Sequence, residues 1–337
     1  MAQMSIAEAL RTAIREEMRH DPRVFCIGED IGIQGGFGGA FTVTLGLSDE
    51  FGHERILDTP ISEAGIAGVA IGAAMAGLRP IADVQYGDFL FNMMDQLANQ
   101  AAKMTYMSGG TVKVPLVMRA PVGATGRGAQ HAQSLEAFFT HIPGLKVLAP
   151  STAYDAKGLL KSAVRDDNPV IIFEHKLLYG SKGARKEKGA LSPIGEVPDE
   201  EYLVPIGKGV IRRPGRDVTI VGKLLTLYRA LGAAETLAAE EIEAEVIDPR
   251  TLIPLDKDLI LASVRKTGRL VIVEEDNLTG GWAADIAAFV AEEAFYYLDA
   301  PIKRVSAPDT PPPFAPVMEQ FYVPSVERVV QAVKSLF

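Results

Sequence analysis

The feature that most constrains the fold is an alternation. Short apolar runs rich in β-branched residues, "RVFCIGE", "RILDTPI", "RPIADVQY", "VPLVMRAP", "KVLAPS" and "PVIIFEH", are separated by stretches whose apolar positions have helical spacing. Strands that are apolar on both sides suit a parallel sheet covered by helices on both faces. Helices are expected from about Ser62 to Ala76, near Asp88 to Met107, and over "TAYDAKGLLKSAVRDD", where Thr152 reads as the N-cap. The chain opens with an amphipathic helix in which Glu8, Glu16 and Glu17 stand beside arginines, so a signal or transit peptide is not expected.

The periodicity lapses between about Gly180 and Val204 and then resumes with "DVTIVG", "EAEVIDPRTLIPLD", "RLVIVEED" and "IKRVSAP". Helices are expected between them, through about Glu240, near Lys257 to Arg265 and from Trp282 to about Leu298. The expectation is an α/β protein of two doubly wound domains, residues 1–185 and 205–337, joined by a linker over 186–204.

A net charge of −9 without a basic stripe argues against a nucleic-acid partner, and the one basic cluster, His175 to Gly189, reads as a solvated loop. The longest apolar stretch, "AGIAGVAIGAAMAGL", falls short of the roughly 18 residues a membrane span needs, so no membrane partner is expected. A single cysteine, Cys26, excludes a disulfide framework and fits a reducing compartment, the cytoplasm by default.

Among candidate chemical groups, the glycine-rich "IGIQGGFGG" after the first strand does not obey G-x-G-x-x-G and reads as a flexible loop. Glu29, Asp30 and Asp83 read as surface carboxylates. Glu63 differs, because it begins a helix whose following residues are almost all apolar or Gly. A carboxyl buried there would have a shifted pKa and would suit a ligand nitrogen; the other reading is a dipole or capping role after Ser62. His131 and His141 have no spacing for a shared metal. His141, before a Pro-Gly turn in an apolar run, reads as a packing residue, whereas His131, after several glycines, is either an acid-base group or an ordinary loop residue. Asp166 and Asn168 read either as ligands to a hard cation or as a helix-ending Asn-Pro turn.

The segments "DTPISEAGIAGVAIGAAMAGLRPI", "DQLANQAAKMTYMSGG" and "QHAQSLEAFFTHIPGLKVLAPSTAYDAKGLLKSAVRDDNPVIIFEHKLLY", with "GEDIG" before and "EVIDPRTLIPLD" after them, resemble the β subunit of the thiamine-diphosphate-dependent first component of 2-oxo acid dehydrogenase complexes. That family includes pyruvate, branched-chain and acetoin dehydrogenases, and the central stretch looks closest to the acetoin branch. The resemblance implies a pyrimidine-binding domain followed by a transketolase C-terminal-like domain. It implies an α2β2 partnership with an α subunit, thiamine diphosphate shared between the subunits, and Mg2+ held mainly by the α subunit. The partners it implies are that α subunit, a lipoyl-bearing acyltransferase component and a small 2-oxo acid. By resemblance, Glu63 hydrogen-bonds the aminopyrimidine ring, Phe89 stacks on it and Gln85 lies at the cofactor. His131 is the active-site histidine, and Ala163, through its carbonyl, binds K+ with Asp166 and Asn168. Ala132 stands where many relatives have Ser, which removes a hydroxyl beside the histidine. Two other readings remain: an acetoin dehydrogenase β subunit, and a non-catalytic scaffold that docks the acyltransferase core.

Overall fold

The computed structural model describes residues 1–33, 38–180 and 194–337. The middle of the glycine-rich stretch, most of the basic cluster and the first half of the expected linker lie outside the described residues. The chain divides into two compact units. The first comprises Met1–Val122 with the described parts of Phe138–Ala184 and Pro193–Ile206; the second contains Gly123–Ala137 and Gly207–Phe337.

In the first unit the strands are β1 (Ala2–Met4), β2 (Val24–Gly28), β3 (Ile56–Asp58), β4 (Arg79–Asp83), β5 (Val117–Val122), β6 (Lys146–Leu148), β7 (Val170–His175) and β8 (Gly195–Val197). Strands β1 and β8 pair antiparallel as a separate ribbon. The main sheet runs β6-β7-β5-β4-β2-β3, and these pairs are all parallel. Every residue of β2, β5 and β7 is buried, as a sheet covered on both faces requires.

The first helix, Ile6–His20, starts at a capping box in which Glu8 accepts from the Ser5 amide at 2.8 Å and Ser5 Oγ caps Glu8. Its apolar positions Ile6, Leu10, Ala13, Ile14 and Met18 are buried. The helix packs on Ala153–Arg165, which begins at Thr152 as the sequence suggests: the Thr152 hydroxyl accepts from the Asp155 amide at 3.2 Å. Lys161 to Glu16 at 2.7 Å and Arg165 to Glu17 at 2.7 Å seal the rim of this pair.

The helix expected over Asp88 to Met107 is three successive forms: a 3-10 segment Gly87–Met93, a π segment Asp95–Ala101 and an α turn Ala102–Met107. A Cβ at Gly87 would come within 2.7 Å of Val122 Cγ1, so glycine lets the tight first turn lie against β5. The overwound start and the wide turn after it together keep Leu90, Met93, Leu97 and Ala101 inward.

The second unit has β9 (Val210–Arg213), β10 (Val218–Gly222), β11 (Ala244–Asp248), β12 (Thr251–Ile253), β13 (Leu270–Asn277) and β14 (Lys303–Ala307). Its sheet runs β14-β13-β10-β11-β9, parallel except for the edge strand β9. Val218, Ile220, Val246, Val271 and Val273 form a core with Leu227, Ala230 and Ala234 of helix Leu225–Ala238 and Val329 of helix Val326–Lys334. The helix expected to reach about Leu298 ends at Glu293 and is followed by a short 3-10 turn, Phe295–Tyr297. No helix among the described residues is long and apolar enough to cross a membrane.

Candidate functional site

Strand order locates a crevice in the first unit. After β2 the chain crosses to β3 on one side, whereas β4 lies on the other side of β2 and leads on to β5. The loops leaving β2 and β4 therefore diverge at the carboxyl ends of adjacent strands, where open α/β sheets bind ligands. Gly28 and Asp83 end these two strands opposite each other, and a Cβ at Gly28 would meet the Asp83 carbonyl at 2.8 Å.

Three sequence candidates, Glu63, Gln85 and Phe89, gather at this end of the sheet. Gln85, just past β4, donates through Nε2 to the Glu29 carbonyl at 2.8 Å and so ties the two diverging loops together. Phe89 lies in the 3-10 turn that packs against helix Glu63–Met75, half-buried and edge-on to Tyr86 with ring centroids 6.0 Å apart. Tyr86 in turn meets Phe41 edge-on at 6.0 Å, and Phe41 stacks on Tyr179 at 4.8 Å, which gives this end an aromatic wall. Glu63 is the first residue of its helix, and Ser62 makes no side-chain cap. Among the described residues no hydrogen bond or ion pair holds the Glu63 carboxylate. The Thr59 hydroxyl, on the same β3-to-helix connection, is buried and has no hydrogen-bond partner among the described residues.

The expected burial of Glu63 needs correction: the residue is half-buried, and Ala64, Gly65, Gly68 and Val69 of its helix are exposed. The helix is apolar nearly all round, but this chain covers only the side carrying Ile66, Ala67, Ala70, Ile71 and Ala74. Glu29 and Asp83 also depart from the surface reading. Burial, and after it the charges of Glu63, Asp30 and Asp83, push the Glu29 carboxyl above its ordinary value.

Asp83 belongs to a buried ion cluster under the crevice. Arg119, with only 2% of its side chain exposed, pairs with Glu174 through Nε at 2.9 Å and Nη2 at 2.6 Å and also with Asp83, while the Tyr179 hydroxyl donates to Glu174 at 2.5 Å. One guanidinium faces two carboxylates. Burial raises the Asp83 carboxyl to about 6, Arg119 opposes that rise and Glu174 adds to it. Sequence patterning missed this cluster because Arg119 sits in an otherwise apolar strand; a charged residue inside "LVMRAPV" was the available signal.

Ala163, Asp166 and Asn168 are brought together at the opposite, amino-terminal end of the strands, just before β7. The Asp166 amide donates to the Ala163 carbonyl at 3.2 Å, and Asp166 Oδ1 accepts from the Asn168 amide at 2.9 Å and from Asn168 Nδ2 at 2.8 Å. Lys146 forms an ion pair with Asp166 Oδ2. Burial alone would raise the Asp166 carboxyl, but Lys146 and Asn168 hold it below its ordinary value.

His131 belongs to the second unit, in the irregular segment Gly123–Ala137. It is half-buried, its amide donates to the Gly128 carbonyl at 3.3 Å, and Gly123, Gly126 and Gly128 have φ of 92°, 70° and 75°. Those left-handed positions suit glycine and make the irregular path available. His141 is exposed rather than packed: Ile142, the next residue, takes the inward position before Pro143.

With this geometry in place, the comparisons with known proteins are specific. Residues 2–182 match the pyrimidine-binding domain of transketolase and residues 207–329 match its C-terminal domain. A solved chain described as a split-gene transketolase, inactive β4 tetramer, superposes with a TM-score of 0.78 at 25% identity, covering 99% of this chain and 98% of that one. Fold and site thus define a protein with the paired pyrimidine-binding and C-terminal domains of transketolases.

Full-length similarity narrows the class. The 2-oxoisovalerate dehydrogenase subunit beta of Bacillus subtilis is 46% identical over 338 residues, covering 100% of this chain and 99% of that protein. The pyruvate dehydrogenase E1 component subunit beta of Rickettsia felis is 47% identical over 335 residues (99% and 98%). The acetoin:2,6-dichlorophenolindophenol oxidoreductase subunit beta of Cupriavidus necator is 49% identical over 339 residues (98% and 96%). The chain belongs to the family of β subunits of the E1 components of pyruvate, branched-chain 2-oxo acid and acetoin dehydrogenases, which are oxidoreductases.

Proposed function

We propose that this chain is the β half of a pyruvate dehydrogenase-like α2β2 component. With its α subunit it decarboxylates a 2-oxo acid and passes the acyl group to the lipoyl group of an acyltransferase component, in a cytoplasmic complex. The observation that carries the reading is the Glu63 carboxylate, unpartnered among the described residues, at a strand-end crevice whose wall carries Phe89 and Tyr86. That arrangement fits the aminopyrimidine half of thiamine diphosphate, and the buried Thr59 hydroxyl, likewise unpartnered among the described residues, leaves a further polar contact there to be filled.

Thiamine diphosphate, when bound, would supply the carbanion nucleophile and the electron sink that decarboxylation of a 2-oxo acid needs. Glu63 holds a proton at the aminopyrimidine ring nitrogen, a role its free oxygens suit. Phe89 offers a ring face to the pyrimidine, and Gln85 fixes the loop after β2 that bounds the crevice. His131 donates to oxygen as negative charge develops on it. The Gly-Asp-Gly…Asn motif that holds diphosphate and magnesium in thiamine enzymes is absent from this sequence, and in this reading the α subunit supplies that half of the site.

Glu63→Gln in the assembled complex tests the reading. Loss of a positioned proton-transfer group should lower turnover about 10²- to 10⁴-fold without loss of assembly, whereas unchanged turnover would favour the scaffold. Assay of the wild-type complex with pyruvate, branched-chain 2-oxo acids and acetoin then assigns the substrate; acetoin turnover alone would move the chain to the acetoin branch. A potassium ion at Ala163, Asp166 and Asn168 would brace the fold and take no part in the chemistry, and there it must share Asp166 with Lys146.

A further inference from the structure

The segment Gly123–Ala137, which carries His131, is fastened within the second unit at both ends. Near its start the Ala124 amide donates to Glu275 Oε1 and the Gly126 amide to Glu319 Oε2. A Cβ at Gly128 would lie 3.3 Å from the Phe314 ring, so the turn before His131 is closely packed. Near its end stands Glu136, five residues beyond His131 and wholly buried. Its Oε1 is 2.9 Å from Lys223 Nζ, which is itself 3.8 Å from Asp276 Oδ2 and 5.7 Å from the centre of the Trp282 ring.

This is an unusual anchor for a loop. One buried ammonium faces two buried carboxyls, and burial, then Glu136, push the Asp276 carboxyl well above its ordinary value against the pull of Lys223. The geometry is that of one buried cation held between carboxyls from two separate segments, Glu136 and Asp276. Apolar residues of similar volume would stabilise such a site as well or better, so a buried charge cluster fixes geometry more than it adds stability. Lys223 itself is set rigidly at the end of β10: its amide donates to Thr226 Oγ1 at 3.2 Å, and Thr226 donates back to the Lys223 carbonyl at 2.8 Å. Leu224, the next residue, has a left-handed φ of 52°, a conformation an L residue adopts only where its surroundings hold it.

We propose that Lys223, with Glu136 and Asp276, forms a buried latch that sets the position of His131. Lys223 is then a positioning residue for the histidine and touches neither substrate nor cofactor. The inference rests on the role given to His131 above.

The test is a double-mutant cycle in the assembled α2β2 complex, measuring kcat and KM for the 2-oxo acid in wild type, Lys223→Met, His131→Gln and the double variant. A misplaced imidazole should cost Lys223→Met about 10²-fold in kcat with KM nearly unchanged, and Lys223→Arg should recover most of the loss. Because the latch acts through the histidine, Lys223→Met should cost less than about twofold once His131 is Gln. A full additive cost in that background would mean a merely structural role and overturn the proposal, as would unchanged kcat in Lys223→Met. Should Lys223→Met fail to assemble, Glu136→Gln, which keeps the shape and removes the charge, is read by the same criteria. If His131→Gln keeps full turnover, the assignment of His131 falls and the latch with it. If His131→Gln loses turnover while Lys223→Met does not, the latch alone falls.

Discussion

Asp83→Asn should change how stability depends on pH, and the size of the change can be worked from the Arg119 cluster. Asp83 titrates at about 6 in the folded chain against an ordinary value of 3.8. Between those values the folded state binds more protons than the unfolded state, so wild-type stability falls as pH rises through this window. Below it the carboxyl is neutral in both states and costs nothing. Above it the full cost is reached, the difference in pKa times 1.36 kcal/mol, or about 3 kcal/mol. Asn is neutral throughout, and Arg119 keeps both contacts to Glu174 at 2.9 and 2.6 Å, so the cluster stays paired. The substitution carries its own offset, but that offset does not depend on pH. The stability of Asp83→Asn relative to wild type should therefore improve by about 3 kcal/mol from strongly acid to neutral pH, and by roughly half of that between about pH 5 and 7.5. Urea unfolding of both chains across this range measures it. A difference that stays flat, or that moves in favour of wild type as pH rises, would refute the reasoning, because Arg119 would then outweigh burial and hold Asp83 ionised at low cost.

Other outcomes follow from the same contacts. Leu10→Ala removes a fully buried side chain from the first helix and should cost about 2–5 kcal/mol in urea unfolding. Lys146 already supplies positive charge to Asp166, so potassium in place of sodium should hardly move the Tm of the wild-type chain but should raise that of Lys146→Met. Calorimetry of the isolated chain should show no micromolar binding of thiamine diphosphate if the α subunit supplies the diphosphate-magnesium half; tight binding would overturn the proposed division of the site.

The fold was legible where periodicity is strong. Val24–Gly28, Val170–His175 and Val218–Gly222 are strands buried along their whole length, so an apolar β-branched run has no competing pattern. The Asp88–Met107 stretch was less legible, because its change from 3-10 to π turns depends on how closely Gly87 meets β5, a contact between residues distant in sequence. Glu63, Gln85 and Phe89 were found through motif, and their convergence follows from strand order rather than spacing. Arg119 and Lys223 escaped for one reason. Each is a long charged side chain in or beside an apolar strand, and what makes it tolerable is a set of carboxylates contributed by other segments: Asp83 and Glu174 for one, Glu136 and Asp276 for the other.

The two clusters have the same charge arithmetic, one cation to two carboxyls, and each carries a carboxyl raised by burial. Each also adjoins a candidate group, Asp83 at the strand end beneath Glu29 and Gln85, and Glu136 a few residues beyond His131. Replacing a buried ion cluster by apolar side chains of similar volume is often neutral or stabilising, so stability alone does not account for such clusters. On the proposed function such clusters would serve to hold the candidate groups in place, since a carboxylate or imidazole displaced by about 1 Å forfeits roughly 10²-fold in rate. The exposed side of the Glu63 helix, with Ala64, Gly65, Gly68 and Val69, fits the same economy. Small residues beside the Glu63 carboxylate leave room for another surface to close over it, and a crevice completed in that way can exclude water only in the assembled enzyme. In the proposed assembly the positions of the chemical groups would thus be set within this chain, and the dielectric in which they act by the partner.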